Sequence, residues 1–312
     1  MTTVILDRPS GPLHPYPRWL GDSGGDLALL TGRPPAELGP GDLAGYAEVR
    51  SCADYATSTE VERCALDLAH RTRVTSLVAI DSHDLVRAAA LRDHLGIPGQ
   101  TREQAVVLQD LVLARRALER AGVPAPVAGP VQRVADLYWY AHRWGYPLRV
   151  RRRRTPGWAE TAVLTNEAAV RALTLDGLSH DPDAVPALIA ERYLEGPRHR
   201  VAAVPDDDGT WMLRRTGWTG VAAARPDAPL PEDLAALVRA ALDVLSPRGN
   251  APHLVEAVRG RGGQWLVESV ACGLRDTRAD EVFGGVHGWS VYAAAARAQA
   301  GLPIRRVTGM VA

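Results

Sequence analysis

The stretch that most constrains the fold of this chain is residues 252–275, which reads PHLVEAVRGRGGQWLVESVACGLR. Two short apolar runs, at residues 254–258 and 265–270, flank a turn that contains three glycines. Glycine takes the positive φ that a tight turn requires, and short runs rich in β-branched residues are typical of strands. The stretch therefore predicts an antiparallel hairpin with its turn centred near Gly262.

Such a hairpin places Glu256 and Glu268 directly opposite each other on one face. Like charges directly opposite one another are destabilising, and the flanking apolar residues make the repulsion harder to screen. Three remedies are open: one carboxyl group keeps its proton, an arginine such as Arg151 or Arg275 neutralises the pair, or a divalent cation that prefers hard oxygen ligands bridges them. Only the third remedy makes the hairpin a metal site.

The composition of the chain limits its class of function. With 312 residues and 46% hydrophobic content, the chain is long enough for two or three domains with sizeable cores. Its 36 basic and 36 acidic side chains give a formal net charge of zero, so nothing predicts binding to nucleic acid or to an anionic membrane. No run of residues approaches the ~18 apolar residues of a transmembrane helix.

Two further features of the sequence bear on the location of the protein and on its chemistry. The N-terminus lacks the pattern of a secretory signal, and three scattered cysteines are too few for a disulfide framework, so we predict a cytoplasmic protein. All 36 basic residues are arginine. Codon bias in a GC-rich genome explains a shortage of lysine, but a lysine required by chemistry usually survives such bias. Any mechanism that needs a lysine is therefore excluded.

The first part of the chain, residues 1–98, alternates predicted strands and helices. The strands are predicted at 3–6, 27–30, 47–49 and 74–80, and the helices at 58–70 and 84–95. This alternation predicts a parallel sheet covered by helices. Ligands of such sheets bind beyond the carboxyl ends of the strands, so Asp81, Ser82 and His83 are candidates to line a pocket; a surface turn with a helix cap is the alternative.

The remaining chain carries further helices and strands. Helices are predicted at 103–121, 134–144, 233–245 and 288–300, and strands near 146–151, 199–204 and 211–215. Four consecutive arginines, residues 151–154, suit the planar recognition of a phosphate or a carboxylate, or they form a solvated edge.

Six segments in this order resemble the ATP-grasp superfamily of carboxylate–amine ligases. The segments are LRDHLGIPGQT (91–101), ERAGVPAPV (119–127), WGYPLRVR (144–151), ERYLEGP (191–197), PHLVEAVRGRGGQWLVES (252–269) and HGWSVYAAAARAQAGLPI (287–304). With a front unit similar to the pre-ATP-grasp domain, the resemblance predicts an ATP-grasp-like α/β fold in three domains. These are an N-terminal parallel-sheet domain (1–98), a small central α+β lid (99–190) and a C-terminal antiparallel-sheet α+β domain (191–312).

In that family, ATP lies between the lid and the C-terminal domain and phosphorylates a carboxylate, and an amine then attacks the acyl phosphate. Two Mg²⁺ ions bridge the phosphates. The resemblance implies that Glu256 and Glu268 stand where the family has its two metal carboxylates. It also implies that Glu191, Tyr193 and Leu194 belong to the hinge whose backbone reads adenine.

Several positions depart from the family pattern. They are Leu111, Arg151, Arg198, Val270 and Cys272. The first two stand where the family has phosphate-holding lysines, and Arg151 could serve in that role. Arg198 replaces a glutamate, Val270 replaces the asparagine that supplies a third metal oxygen, and Cys272 stands where an arginine is usual. Together these departures suggest that selection for ATP chemistry has relaxed or changed.

Three functions are open at this point. The first is a diverged protein of specialised small-molecule biosynthesis in which ATP-dependent ligation is lost or altered. Its cleft either binds a small carboxylate through Arg149, Arg151 and Arg198 or catalyses a different reaction. The second is an active ligase that uses ATP and Mg²⁺ and forms an amide bond. The third is a non-catalytic partner subunit with an aromatic interface at 138–144. A homodimer is possible in each case.

The candidate catalytic residues are Arg151, Arg198, Arg275 and Cys272. In one version of the first function, Cys272 is a nucleophile with His253 or His287 as its base. A small buried apolar side chain is the alternative role for this cysteine. If the ATP site is still active, the cofactors are ATP and Mg²⁺; otherwise there is none.

Overall fold

In a computed structural model of the chain, the described residues are 1–9, 11–154, 160–175, 187–219, 229–247, 251–273 and 277–304. This part of the chain folds as a mixed α/β protein with one parallel and two antiparallel four-stranded sheets, which confirms the predicted fold class. No helix within these ranges is both long enough and apolar enough to cross a membrane.

The first sheet is parallel, and its strands follow the order β3-β2-β1-β4. Its strands are β1 (Thr2–Asp7), β2 (Asp26–Thr31), β3 (Glu48–Ser51) and β4 (Val74–Ala79). The helices of this region are α1 (Tyr16–Leu20), α2 (Pro40–Leu43), α3 (Glu60–Arg71) and α4 (Leu85–Leu95). Val4 and Leu6 pack in one core with α3 and α4, while Ile5 packs in another core with α1. Both faces of the sheet are covered, as its nearly continuous apolar strands require.

The helix predicted at residues 103–121 is two helices in the structure. They are α5 (Arg102–Gln109) and α6 (Leu111–Arg120). Asp110 between them has an extended backbone, and its side chain accepts hydrogen bonds from the backbone amides of Val112 and Leu113. Aspartate caps helix N-termini well, so it ends one helix and begins the next inside a continuous apolar pattern.

The second sheet is antiparallel, and its strands follow the order β5-β8-β6-β7. Its elements are β5 (Ala128–Val131), α7 (Val134–Trp144), β6 (Leu148–Arg152), β7 (Glu160–Leu164), α8 (Glu167–Thr174) and β8 (Leu188–Arg192). Leu148 and Val150 pack on one face in a core with α7 and α8. Alternation along β6 turns Arg149 and Arg151 to the other face. The domain boundaries stay predictions, but β8 crosses the one at 190–191 and pairs with β5 and β6.

The third sheet is antiparallel, and its strands follow the order β10-β9-β11-β12. The remaining elements are β9 (Arg198–Pro205), β10 (Trp211–Thr219), α9 (Glu232–Leu245), β11 (His253–Arg259), β12 (Trp265–Cys272), α10 (Thr277–His287) and α11 (Val291–Gln299). Val201 and Val255 pack with α5, α6 and α9 on one face. Ala202 and Leu254 pack with α10, α11 and the first sheet on the other. Helix α10 was not predicted from the sequence; it ends at His287, just before Gly288, whose φ is +73°.

Arg297 on α11 ties the C-terminal region to the first sheet's helices. Its side chain is 1% exposed and donates to the backbone oxygens of Trp19 and Pro303 at 2.7 and 2.8 Å and to the Asp22 carboxylate. Replacing it by methionine keeps most of the volume but leaves the carbonyl groups without their donor. We expect Arg297→Met to lower the free energy of unfolding by about 3 kcal/mol in urea titrations.

The matched control is Arg63→Met, because the Arg63 side chain is 64% exposed and makes only surface ion pairs. We expect a change within about 0.5 kcal/mol for this variant. Equal effects of the two substitutions would contradict a structural role for Arg297.

Candidate functional site

The hairpin of β11 and β12 contains a β-bulge that changes the predicted pairing of its glutamates. Near the turn the register is as predicted, with Ala257 opposite Val267. One residue further, Glu256 faces Ser269, so Glu268 is the extra residue on β12. The prediction that Glu256 and Glu268 lie directly opposite each other is therefore wrong, although Glu268 remains close enough to raise the pKa of Glu256.

Arginines neutralise both glutamates of the hairpin. Glu268 is 1% exposed, with its carboxylate 3.1 Å from the Arg149 guanidinium and 2.9 Å from that of Arg198. Glu256 lies 3.3 Å from Arg200. Burial and the charge of Glu268 raise the pKa of Glu256, and Arg200 and Arg149 oppose this rise. Of the three ways to relieve the repulsion between the two glutamates, the described structure shows ion pairs with arginine.

One of the two arginines proposed to neutralise this pair has a different partner in the described structure. Arg151 makes its ion pair with Glu191, at 3.5 Å, and not with Glu256 or Glu268. Arg275 lies outside the described residues.

Glu191 on β8 is the centre of a buried cluster of charges. Its side chain is fully buried, and its carboxylate oxygens lie 2.6 Å from Arg115, 2.8 Å from Arg149 and 3.5 Å from Arg151. Burial alone would raise the pKa of Glu191, but the three guanidinium groups lower it to about 2. This carboxylate is therefore ionised at any pH at which the protein is expected to work.

Arg115 is a site residue that sequence reasoning missed. It donates to one oxygen of Glu191 through two nitrogens and also to the backbone oxygens of Val267 and Glu268. A signal was present: Arg115 falls three residues from both Val112 and Leu118 on the buried face of α6. A charged residue at this helical spacing is directed into the core, where it needs a partner.

Two backbone groups of the hinge predicted to read adenine form hydrogen bonds within the protein. The amide of Tyr193 donates to the backbone oxygen of Pro147 at 3.1 Å, and the carbonyl of Leu194 accepts from Arg198 at 2.7 Å. Glu191 belongs to a strand that pairs with neighbours on both sides. In this conformation the Tyr193 amide already has an internal partner, and the Glu191 side chain has a role that the resemblance did not assign.

Arginines outnumber carboxylates in the described part of the cluster. Arg115, Arg149, Arg151 and Arg198 contact the carboxylates of Glu191 and Glu268. Glu256, which is paired with Arg200, lies near enough to act on the charges of Arg149 and Arg151.

Arg151 is the least engaged guanidinium of the cluster. It is 2% exposed, and its hydrogen bonds, to Glu191 and to the backbone oxygen of Glu268, are both 3.5 Å long. Burial lowers its pKa, and Glu191 opposes this effect. A buried cation with such long contacts can accept an additional anion.

The arginine run at 151–154 has mixed roles. Arg153 holds the Asp110 carboxylate at 2.8 Å and Arg154, whose side chain is 63% exposed, lies 3.4 Å from it. Arg152 is exposed. Thus, of the four arginines at 151–154, only Arg151 faces the buried cluster. The four side chains do not form one phosphate-binding surface.

The environment of Cys272 does not support a nucleophile. Burial raises the pKa of its thiol to about 12, so the thiol stays protonated at neutral pH. His253 is fully buried, its ring is 3.0 Å from the Ser246 hydroxyl, and burial lowers its pKa to about 4. His287 packs against Phe283 and is not hydrogen-bonded to the thiol. The predicted thiolate–imidazole pair is absent from these residues.

The side chains present do not fit a magnesium ion in this conformation. Within the described ranges, no group of three or more His, Cys, Asp or Glu side chains is arranged to hold a metal. Val270, where a third oxygen ligand would be needed, is apolar and buried. The carboxylates of Glu256 and Glu268 already contact arginines, whose positive charge also opposes a cation.

Comparison with solved structures decides the fold. An L-amino acid ligase from Bacillus licheniformis is 16% identical, with a TM-score of 0.66 over 93% of this chain and 70% of the other. An N5-carboxyaminoimidazole ribonucleotide synthetase from Thermotoga maritima is 15% identical, with a TM-score of 0.69 over 97% and 77%. The chain has the ATP-grasp fold. No model of a protein family matches it, and no curated protein matches it in sequence.

A third similar structure contains bound ligands. The biotin carboxylase domain of the 2-oxoglutarate carboxylase from Hydrogenobacter thermophilus was solved as a dimer with MgADP, ADP and bicarbonate. It is 15% identical to this chain, with a TM-score of 0.67 over 98% of this chain and 71% of the other. At this level of identity the similarity establishes the ATP-grasp fold alone. The chemistry of the cleft must be inferred from the residues of this chain.

We expect the stability of the protein to depend on Glu191 in a pH-dependent way. Its folded-state pKa of about 2 lies below the value of 4.5 for a free glutamate, so its stabilising effect is full above pH 4.5 and is lost as the pH falls towards 2. Glu191→Gln should lower the free energy of unfolding by about 3–5 kcal/mol at pH 7, because three buried guanidinium groups lose the carboxylate that they share. The difference from wild type should shrink as the pH is lowered.

The control is Glu195→Gln, since the Glu195 side chain is 62% exposed and makes only a surface ion pair. Urea titrations between pH 7 and pH 3 measure both variants. A pH-independent difference for Glu191→Gln would contradict the assigned ionisation.

We expect Cys272 to be unreactive in the folded protein. Its raised pKa of about 12 leaves little thiolate at pH 8, so alkylation by iodoacetamide should be at least ~100-fold slower than for the urea-unfolded chain. Peptide mass spectrometry after timed quenching measures the rate at this cysteine. Rapid alkylation of folded protein would restore the nucleophile hypothesis.

Proposed function

We propose that this chain is a diverged ATP-grasp-fold protein whose cleft binds a small carboxylate, with ATP-dependent ligation lost or altered. The setting that fits this function is small-molecule biosynthesis. The observation that carries the proposal is the cluster of four guanidinium groups, three of them buried, around two carboxylates, which leaves Arg151 available to an anion.

The cluster favours a carboxylate over MgATP for electrostatic reasons. A magnesium-bound nucleotide brings a divalent cation, and the two glutamates that would hold it are already paired with Arg149, Arg198 and Arg200. Binding the metal therefore requires these ion pairs to break. A small anion makes no such demand, because it adds negative charge where the described cluster lacks it and matches the planar fork of a guanidinium.

A second candidate function is an active ATP- and Mg²⁺-dependent carboxylate–amine ligase. The observation that favours it is the retention of Glu256 and Glu268 on one hairpin, near enough for Glu268 to raise the pKa of Glu256. The similar structures include carbon–nitrogen ligases. In this function the arginines release the two carboxylates when nucleotide and metal arrive.

Calorimetry separates the two functions. For the first, we expect no heat from MgATP at micromolar concentrations, and measurable binding of a monocarboxylic acid of two to six carbons. Arg151→Gln should weaken acid binding by at least ~10-fold, the equivalent of one charge-assisted hydrogen bond. Arg154→Gln is the matched control, because Arg154 lies in the same arginine run but its side chain is 63% exposed.

The opposite result would support the ligase. Micromolar binding of MgATP that disappears in Glu268→Gln, while the variant keeps its cooperative thermal unfolding, would overturn the first function. Absence of any acid binding to the wild-type protein would overturn the proposed role of Arg151.

A further inference from the structure

Arg215 on β10 is a buried cation without a partner in the described part of the chain. Its side chain is 5% exposed, and its Nε has no hydrogen-bond partner. Burial lowers the pKa of Arg215, and no described acidic group opposes this effect. The other buried arginines of the described structure all donate hydrogen bonds to carboxylates or carbonyls; they are Arg92, Arg115, Arg149, Arg151 and Arg297. An unpaired buried charge is strongly unfavourable, so Arg215 points to a missing anion.

His199 on β9 lies on the same face of the third sheet as Arg215. Arg215 pairs with Val201, and His199 is two residues from Val201 along β9, which makes His199 a diagonal neighbour of Arg215. Burial lowers the pKa of His199 to about 4, and the positive charge of Arg215 adds to this effect. The ring is therefore neutral at pH 7. It is 7% exposed, and its Nδ1 has no hydrogen-bond partner among the described residues.

A β-bulge beside Arg215 adds a third unpartnered group. Arg215 pairs with Val201 and Gly217 pairs with Arg200, so Thr216 is the extra residue on β10. Thr216 is 1% exposed, and its Oγ1 has no hydrogen-bond partner within the described ranges. Buried polar groups are normally satisfied, so three such groups in neighbouring positions indicate that a ligand completes their hydrogen bonds.

Arg259 supplies a second positive charge on the other side of His199. Ala257 on β11 pairs with His199, and Arg259 is two residues further along the same face. The guanidinium of Arg259 lies 5.7 Å from the centre of the Trp265 ring, and the His199 ring packs edge-on against the same tryptophan at 4.9 Å. Arg259 is exposed, and its Nε donates to the backbone oxygen of Gly263 at 2.9 Å. Two guanidinium groups therefore flank one neutral imidazole.

This group of side chains is separate from the charged cluster of the cleft. Successive residues of a strand point to opposite faces, so His199 points away from the side on which Arg198 pairs with Glu268 and Arg200 pairs with Glu256. An anion bound on the face of His199 therefore uses none of the ion pairs that form the proposed carboxylate site.

We propose that Arg215, Thr216 and His199 bind a phosphate group, with Arg259 at the rim of the site. The three unpartnered atoms can all donate a hydrogen bond, His199 through the tautomer that carries its proton on Nδ1. A phosphate group presents at least three acceptor oxygens in a tetrahedral arrangement, whereas a carboxylate presents two in one plane. The double negative charge of a phosphate also matches two guanidinium groups that have no described carboxylate partner.

Calorimetry on the full chain tests this site with inorganic phosphate and with methyl phosphate. We expect binding at submillimolar concentrations to the wild-type protein. Tighter binding of methyl phosphate identifies the phosphate group of a larger molecule as the ligand, and tighter binding of inorganic phosphate identifies the free ion. In Arg151→Gln, which disables the proposed carboxylate site, acetate should bind at least ~10-fold more weakly than phosphate. Equal affinities of acetate and phosphate in this variant would overturn the choice of phosphate.

Substitutions on β9 and β10 locate the phosphate. Arg215→Gln should weaken phosphate binding by at least ~10-fold, because a charge-assisted hydrogen bond is lost. The matched control is Arg214→Gln, since Arg214 is the neighbouring arginine on the opposite face and donates to the backbone oxygen of Leu213. The control should bind phosphate within ~2-fold of wild type. His199→Phe keeps an aromatic ring against Trp265 but lacks Nδ1, and should weaken binding by roughly 3–10-fold. Unchanged binding in Arg215→Gln would overturn the assignment.

Thermal unfolding provides a second measurement. A ligand that binds only the folded protein raises its Tm, so phosphate should raise the Tm of the wild-type protein and not that of Arg215→Leu. Without phosphate, Arg215→Leu should have a Tm no lower than that of wild type, because an apolar side chain replaces an uncompensated buried charge. A markedly lower Tm, or failure of Arg215→Leu to fold, would show that the guanidinium stabilises the protein without an anion and would overturn the proposal.

The outcomes separate this site from the proposed function. Phosphate binding that is lost in Arg215→Gln and kept in Arg151→Gln supports the site, whether or not a carboxylate binds at Arg151. The reverse pattern would place phosphate in the charged cluster of the cleft and overturn the site. Absence of binding of both phosphate compounds to the wild-type protein at millimolar concentrations would also overturn it, and would leave the proposed carboxylate site unaffected.

Discussion

The cleft of this protein depends on a buried network of guanidinium and carboxylate groups. Moving each ion out of water costs several kcal/mol, and only good geometry with additional hydrogen bonds offsets this cost. Glu191 meets that condition, since each of its oxygens accepts two hydrogen bonds from one arginine. The network joins β6 and β8 of the second sheet to α6 and to β12 of the third. The charged network therefore links the second sheet to the third in addition to the apolar core that packs α6 against β12.

Only arginine can build such a network. A buried lysine readily loses its proton, whereas a guanidinium keeps its charge and donates through a planar fork. The burial of Arg149, at 3% exposure, beside Glu191 and Glu268 uses this property, because one guanidinium contacts both carboxylates. A chain whose 36 basic residues are all arginine has the right side chain at each of these positions. Without lysine, the chain cannot hold a phosphate through ammonium groups. Its guanidinium groups can still form an anion site.

The sequence predicts the sheets of this fold better than its site. Apolar runs locate all four strands of the first sheet and the turn of the last hairpin, since burial of these runs does not depend on distant partners. The bulge at Glu268 is different, because β11 pairs with β9 as well as with β12, and the strand must satisfy both neighbours. Similarly, the partners of Glu191 lie 40 to 76 residues away in the chain, a separation at which no local pattern operates.

The bulge at Glu268 lies where the charged cluster and an adjacent cavity, which Arg151 lines, meet. A bulge bends the strand and changes the direction of neighbouring side chains. In this hairpin Glu268 contacts Arg149 and Arg198, while Ser269 lines the adjacent cavity with Arg151. An alteration that removed the bulge would therefore disturb the ion pairs and the cavity together, which makes the local twist of β12 the feature that couples the charged cluster to the cavity.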